Sequence, residues 1–205
     1  MSIKKIAVLF SGNGTNLEAI LKKIHNKTFG DTTIKVALLI CNNKNAKGIK
    51  KAQKFGLKTT LIDHKNFATR KEFDQKLVNL IKSQNIDLVV LAGFMRILTE
   101  VFTKNIKAIN LHPSILPLFK GANAIKESFQ SDMQVGGVSV HFVSDELDGG
   151  KIIAQKTFDR NGRNFEEWEA KIHKIEHEIL PKTIINLLTK DYLNFPENFK
   201  VVSQE

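Results

Sequence analysis

A chain of 205 residues, 42% hydrophobic and 25% charged, suits one globular domain with a sizeable core. Its net charge of +10 suggests nucleic acid first, but only four cations are arginines (Arg70, Arg96, Arg160, Arg163) and the lysines are scattered along the chain. That pattern excludes a basic arm or stripe and reads as a solvated lysine-rich surface that steers anionic small molecules, with no nucleic-acid partner expected.

In chain order, "KKIAVLF" is a short apolar run ended by "SGNG", and Leu17, Ile20, Leu21 and Ile24 then keep helical spacing. This is strand, glycine loop, helix. "TTIKVALLIC" predicts a second buried strand, "AKGIKKAQKFG" a helix closed by Gly56, and "LKTTLID" a third strand. "TRKEFDQKLVNLIKSQ" is amphipathic, with Phe73, Leu77, Leu80 and Ile81 on one side, and "IDLVVLAG" and "IKAINLH" are further β-rich runs. Alternating short strands and helices predict a Rossmann-like, doubly wound, mostly parallel α/β sheet over the first ~110 residues. The second half changes character. "VSVHFV" and the glycine pairs around it predict an antiparallel component, and "NFEEWEAKIHKIEHEILPKTIINLLT" a long helix that Pro181 should kink or break. In the tail, "FKVV" is a candidate short strand.

No apolar run is long enough to cross a bilayer as a helix, and "MSIKKIAVLF" lacks a leader's cleavage site. The single cysteine, Cys41, has no partner for an intrachain disulfide. A cytoplasmic protein without a membrane partner is expected.

Ligands of doubly wound sheets bind beyond the carboxyl ends of the strands, where "SGNG", "AGFMR" and "NLHPS" all fall. "SGNGTN" lacks the third glycine of the dinucleotide fingerprint, since Leu17 stands there, and "LLICNNKN" lacks the acidic residue that would hold a ribose. What remains is a loop of backbone donors with Thr15 and Asn16 opening a helix, suited to one phosphate group or simply to a tight turn. "HKIEH" matches the H-x-x-E-H metal pattern, but no third ligand is signalled and no metal is expected. Asn110 and His112 lie two apart, so a strand points both to one face, and the proline after His112 ends it there. Asp148 precedes two glycines in a loop that a ligand can approach closely. A carboxylate beside an imidazole favours its charged form, and an amide can donate to a developing oxyanion. With no nucleophile elbow or Cys-His pattern, the trio fits direct acyl transfer to an amine.

Together, "VLFSGNGTNLEAI", "VVLAGFMRIL", "INLHPSILP" and "VSVHFVSDELDGGKII" resemble the phosphoribosylglycinamide formyltransferases, over most of the chain and in the same order. The resemblance implies the formyltransferase fold, with one domain over residues 1–189: a phosphate-binding half at 1–110 and a catalytic-loop and folate-binding half at 111–189, followed by a tail. It implies transfer of a formyl group from 10-formyltetrahydrofolate, as co-substrate, to glycinamide ribonucleotide. Asn110, His112 and Asp148 would be the catalytic set, with His112 as proton donor. Gly14, Thr15 and Asn16 would hold the phosphate and Glu176 the sugar hydroxyls. Arg70, Met95, Arg96, Ile97 and Leu98, with Asn110, would line the folate site. A monomer or homodimer is expected. Two places depart from the family's pattern: the loop after the catalytic strand reads "LFKGANAIKES", and His173 stands where glutamine or lysine is usual. A formyltetrahydrofolate hydrolase should carry a further N-terminal domain and a methionyl-tRNA formyltransferase a further C-terminal one. A non-catalytic basic nucleic-acid-binding module would explain the charge but not the trio.

Overall fold

The computed structural model describes residues 1–189. The predicted "FKVV" strand lies outside the described residues.

The strand β1 (Ser2–Phe10) forms because residues 6–10 are apolar without interruption. Its period of two sends Ile6, Val8 and Phe10 into one core and Ala7 and Leu9 into another, so both faces of the sheet are covered. The helix α1 (Thr15–Ile24) follows at once and buries Leu17, Ile20, Leu21 and Ile24, as their spacing predicts. Next come β2 (Lys27–Phe29), β3 (Thr32–Cys41), α2 (Lys47–Gln53) and β4 (Thr60–Leu61). The strand predicted over "LKTTLID" shrinks to that two-residue β4, whose residues are both exposed. At this edge, little apolar surface rewards a longer ladder. β2 was not anticipated; it pairs antiparallel with β3.

The helix α3 (Arg70–Ser83) is capped by Thr69, whose hydroxyl accepts from the Glu72 amide at 3.2 Å. It buries Phe73, Leu77, Val78 and Ile81 against the second core. Then follow β5 (Leu88–Leu91), the short helix α4 (Glu100–Thr103), β6 (Ala108–His112), α5 (Ala124–Gln130), β7 (Val135–Phe142), β8 (Ile152–Asp159) and α6 (Phe165–Thr189).

The strand order is β2-β3-β1-β5-β6-β7-β8, with β4 beside β3. β1 runs parallel to β3 and β5, and β5 parallel to β6, which makes the doubly wound half. β6 then pairs antiparallel with β7, and β7 with β8. β6 is therefore the seam between a parallel and an antiparallel half, and it carries Asn110 and His112.

Of the kink or break that the sequence suggests at Pro181, the break does not occur: α6 runs through it. A helical proline removes the hydrogen bond to the carbonyl four residues before, here that of His177. Lys23 Nζ, from the last turn of α1, donates to that carbonyl at 2.9 Å and restores a partner. Ile179, Leu180, Ile184 and Leu187 on either side are buried in the first core and hold the helix through the defect. Among the described residues no helix is long and apolar enough to cross a membrane.

Candidate active site

Acyl transfer needs a proton carrier, an oxyanion donor and a fixed charge, and the sheet seam gathers groups of these types. Asn110 and His112 project from β6, and the loop after β7 returns Asp148 to them. Asp148 Oδ2 lies 3.4 Å from His112 Nδ1 and accepts from the Gly121 amide at 2.9 Å. Asp148 Oδ1 accepts from Asn110 Nδ2 at 3.3 Å. The carboxylate is 7% exposed, so its partners act with little solvent between them. Burial works against its charge. The His141 side chain, the Gly121 amide and the charges of His112 and His141 outweigh that and hold the carboxyl below the usual carboxylate range.

His112 is buried, and its Nε2 donates to the Phe119 carbonyl at 2.7 Å. Both ring nitrogens thus face acceptors. Phe119 belongs to the loop after β6, which crosses the site with positive φ at Phe119 and at Gly121. Lys120 in that loop pairs with Glu146 at 2.6 Å, tying it to the loop that carries Asp148.

Sequence reasoning missed His141. It is 2% exposed, sits opposite Asn110 in the β6–β7 ladder, and its Nε2 lies 3.2 Å from Asn110 Nδ2 and 3.6 Å from Asp148 Oδ1. Its Nδ1 donates to the Phe142 carbonyl at 2.8 Å, which leaves Nε2 to accept from Asn110 in the neutral ring or to donate to Asp148 in the charged one. The only local signal was a histidine on an otherwise apolar alternating strand.

These groups stand in the wall of a cleft of about 520 Å³. Arg70, Met95, Arg96, Ile97 and Leu98 line it with Asn110, so every residue expected at the folate site is brought to one cavity with the catalytic trio. The lining draws on both sides of residue 110. Met95 and Ile97 are 69% and 52% exposed, apolar side chains that an apolar ligand could cover.

The other predicted residues gather elsewhere. Gly14 caps α1 with φ +67, and a Cβ there would lie 2.6 Å from Gly48 Cα. The close approach of two backbones explains the glycine. Asn16 Nδ2 donates to Glu176 Oε2 at 3.1 Å, and His173 Nδ1 lies 2.8 Å from the same oxygen. The hydrogen bond to Glu176 pushes the His173 pKa up against the effect of burial. Asn16 Oδ1 is buried without a partner. Thr15, Asn16 and Glu176 do not line the large cleft, but the two places are linked. Ser11 N donates to the Gly93 carbonyl at 3.0 Å, and Ser11 Oγ accepts from Met95 N at 2.8 Å.

Comparison with known proteins identifies the family. The formyl transferase family matches residues 4–184. A phosphoribosylglycinamide formyltransferase of Bacillus subtilis is 34% identical over 189 residues, covering 91% of this chain and 95% of the relative, and one of Haemophilus influenzae is 36% identical over 96% of this chain and 92% of the relative. A trifunctional purine biosynthetic protein of Gallus gallus is 38% identical, but the chain spans 18% of its length. Among solved structures, a phosphoribosylglycinamide formyltransferase from Campylobacter jejuni superposes with a TM-score of 0.89 at 64% identity, covering 90% of this chain and 97% of that one. With a match along nearly its whole described length and near-complete coverage of single-function relatives, the chain belongs to the phosphoribosylglycinamide formyltransferases.

Proposed function

We propose that the chain transfers the formyl group of 10-formyltetrahydrofolate directly to the amine of glycinamide ribonucleotide, with His112 as general acid. The observation that carries this reading is one buried carboxylate, that of Asp148, in contact with His112, Asn110 and the Gly121 amide in the wall of the cleft. In the reaction the amine attacks the formyl carbon and the carbonyl oxygen gains negative charge. The C–N10 bond then breaks, N10 leaves with a proton, and the amine gives one up.

His112 supplies the proton. The formyl oxygen takes the place of the Phe119 carbonyl as the acceptor of Nε2–H, so the loop must yield that position when substrate enters. Asp148 orients the ring and faces the edge on which positive charge is held. Asn110 donates to the developing oxyanion, exchanging one of its bonds to His141 or Asp148 for it. General acid catalysis and oxyanion donation each contribute on the order of 10²-fold or more. Gly14, Thr15 and Asn16 hold the ribonucleotide phosphate at the start of α1, and Glu176 the sugar hydroxyls. Arg70 and residues 95–98 hold the folate. The described residues work as one catalytic domain of a cytoplasmic enzyme, a monomer or homodimer without a metal.

Absorbance at the wavelength of the deformylated folate product, with and without glycinamide ribonucleotide, tests the reading. Product only with the ribonucleotide supports transfer; product without it indicates a hydrolase. His112→Ala should abolish turnover while leaving the circular dichroism spectrum unchanged, and wild-type-like turnover would refute the assignment.

A further inference from the structure

Asp74 is 1% exposed on α3, one turn after Arg70, and takes no part in the chemistry above. Burial pushes its carboxyl pKa up, while the Thr99 hydrogen bonds and the charges of Arg70 and Arg96 pull the other way. A group buried at such a cost to its charge needs a reason. Its Oδ2 accepts from the Thr99 amide at 2.6 Å and from the Thr99 hydroxyl at 2.7 Å. Thr99 is the N-cap of α4, where a threonine hydroxyl ordinarily accepts from its own helix. Here it makes no such cap, and donates across 25 residues to α3 instead.

Local capping has thus been exchanged for a long-range tie. Thr99 directly follows Met95–Leu98, which line the cleft, and Arg70 lines it from the helix that carries Asp74. The opposite end of the segment is held separately, by Ser11 Oγ on Met95 N. Burial of Phe102 already anchors α4 in the second core, so Asp74 adds a position rather than apolar burial. Two buried atoms near this tie lack partners, Asp74 Oδ1 and Arg96 Nε. Among the described residues neither Arg70 nor Arg96 stands in a salt bridge, and Asp74 acts on both through its charge without pairing with either.

We propose that Asp74 is a positioning residue that fixes the spacing between Arg70 on α3 and Arg96 in the 95–98 segment, and so sets affinity for the anionic folate. The inference rests on the folate reading of the cleft. It predicts an effect on one substrate alone. Asp74→Ala should raise the KM for 10-formyltetrahydrofolate about tenfold, with kcat and the KM for glycinamide ribonucleotide within about threefold, the pattern of lost ground-state binding. Asp74→Asn keeps an oxygen able to accept both Thr99 bonds and should restore the folate KM to within about threefold of wild type. Thr99→Val removes only the hydroxyl bond and should lie between; it serves as the test if Asp74→Ala does not fold. Ile97→Asp, which puts a charge into the lining, checks the pocket itself. If Ile97→Asp leaves the folate KM unchanged, the folate reading falls. If Ile97→Asp raises it while the Asp74 and Thr99 variants do not, or if those variants lower kcat or shift both KM values alike, the positioning role is overturned.

Discussion

Alanine at Gly14 should damage both the packing of α1 and the affinity for the ribonucleotide. A Cβ there would stand 2.6 Å from Gly48 Cα and 3.5 Å from the Gly48 amide nitrogen, both backbone atoms that cannot rotate away. α2 cannot retreat freely either, because Gly48 N donates to the Gly12 carbonyl at 3.1 Å. Left-handed backbone costs a non-glycine residue roughly 1–2 kcal/mol and overpacking adds about 1–3, so the total is about 2–5 kcal/mol. With a urea m value of about 2.5 kcal/mol/M, the unfolding midpoint should fall by roughly 1–2 M. The KM for glycinamide ribonucleotide should rise in the same protein, since Thr15 and Asn16 ride on the displaced first turn. Gly12→Ala is the control: no atom lies within 4 Å of its Cβ position, so its stability should change by less than about 0.5 kcal/mol. Equal midpoints for the two variants would refute the packing argument. A destabilised Gly14→Ala with an unchanged ribonucleotide KM would refute the phosphate site.

Glu18 accepts salt bridges from Lys22 at 2.6 Å and Lys51 at 2.7 Å, and its pKa is lowered to about 2. Because Lys22 is 62% exposed, screening leaves only about 1 kcal/mol, which Glu18→Gln should remove at neutral pH. With the folded pKa depressed, this contribution is present above the ordinary value of 4.5 and fades towards pH 2; a deficit that persists at pH 2 would contradict it. His25 Nδ1 accepts from the Val36 amide at 3.1 Å, and burial, then Lys35, lowers its pKa from 6.5. The unfolded chain therefore takes the proton first, and stability should fall as pH drops below 6.5. His25→Gln should flatten that slope in urea titrations, and an identical slope would exclude His25 as its source. Lys23→Met should cost about 1 kcal/mol through the His177 carbonyl it leaves unpaired, and less in a Pro181→Ala background where an amide N–H returns. Equal costs in both backgrounds would break the link between lysine and proline.

The period of two in β1, the spacing of Leu17, Ile20, Leu21 and Ile24, and the separation of Asn110 from His112 were all legible because each is set within a few residues. So was the meeting of "AGFMR" and "NLHPS" at one cleft, which follows from parallel winding; "SGNG" does not line that cleft and touches it only through the Ser11 bonds to Gly93 and Met95. His141 was not, although its strand was. Its meeting with Asn110 depends on which residue of β7 falls opposite which of β6, and register is fixed by the whole ladder rather than by the strand. The same holds for Asp74 and Thr99, whose pairing crosses a helix, a strand and a loop. The break suggested at Pro181 does not occur for a related reason: propensity describes an isolated helix, and a lysine from a different helix supplied the missing donor.

That lysine has a wider consequence. α1 and α6 are joined by two bonds, from Asn16 in the first turn of α1 to Glu176 and from Lys23 in its last turn to the His177 carbonyl, neighbouring residues of α6. Two bonds from opposite ends of α1 to one turn of α6 resist sliding of one helix along the other, so the distance from the Gly14 loop to the Glu176 carboxylate is held before any ligand arrives. A molecule that engages both ends meets a calliper with fixed jaws. On the reading proposed above, length, as much as charge, then decides which sugar phosphates fit.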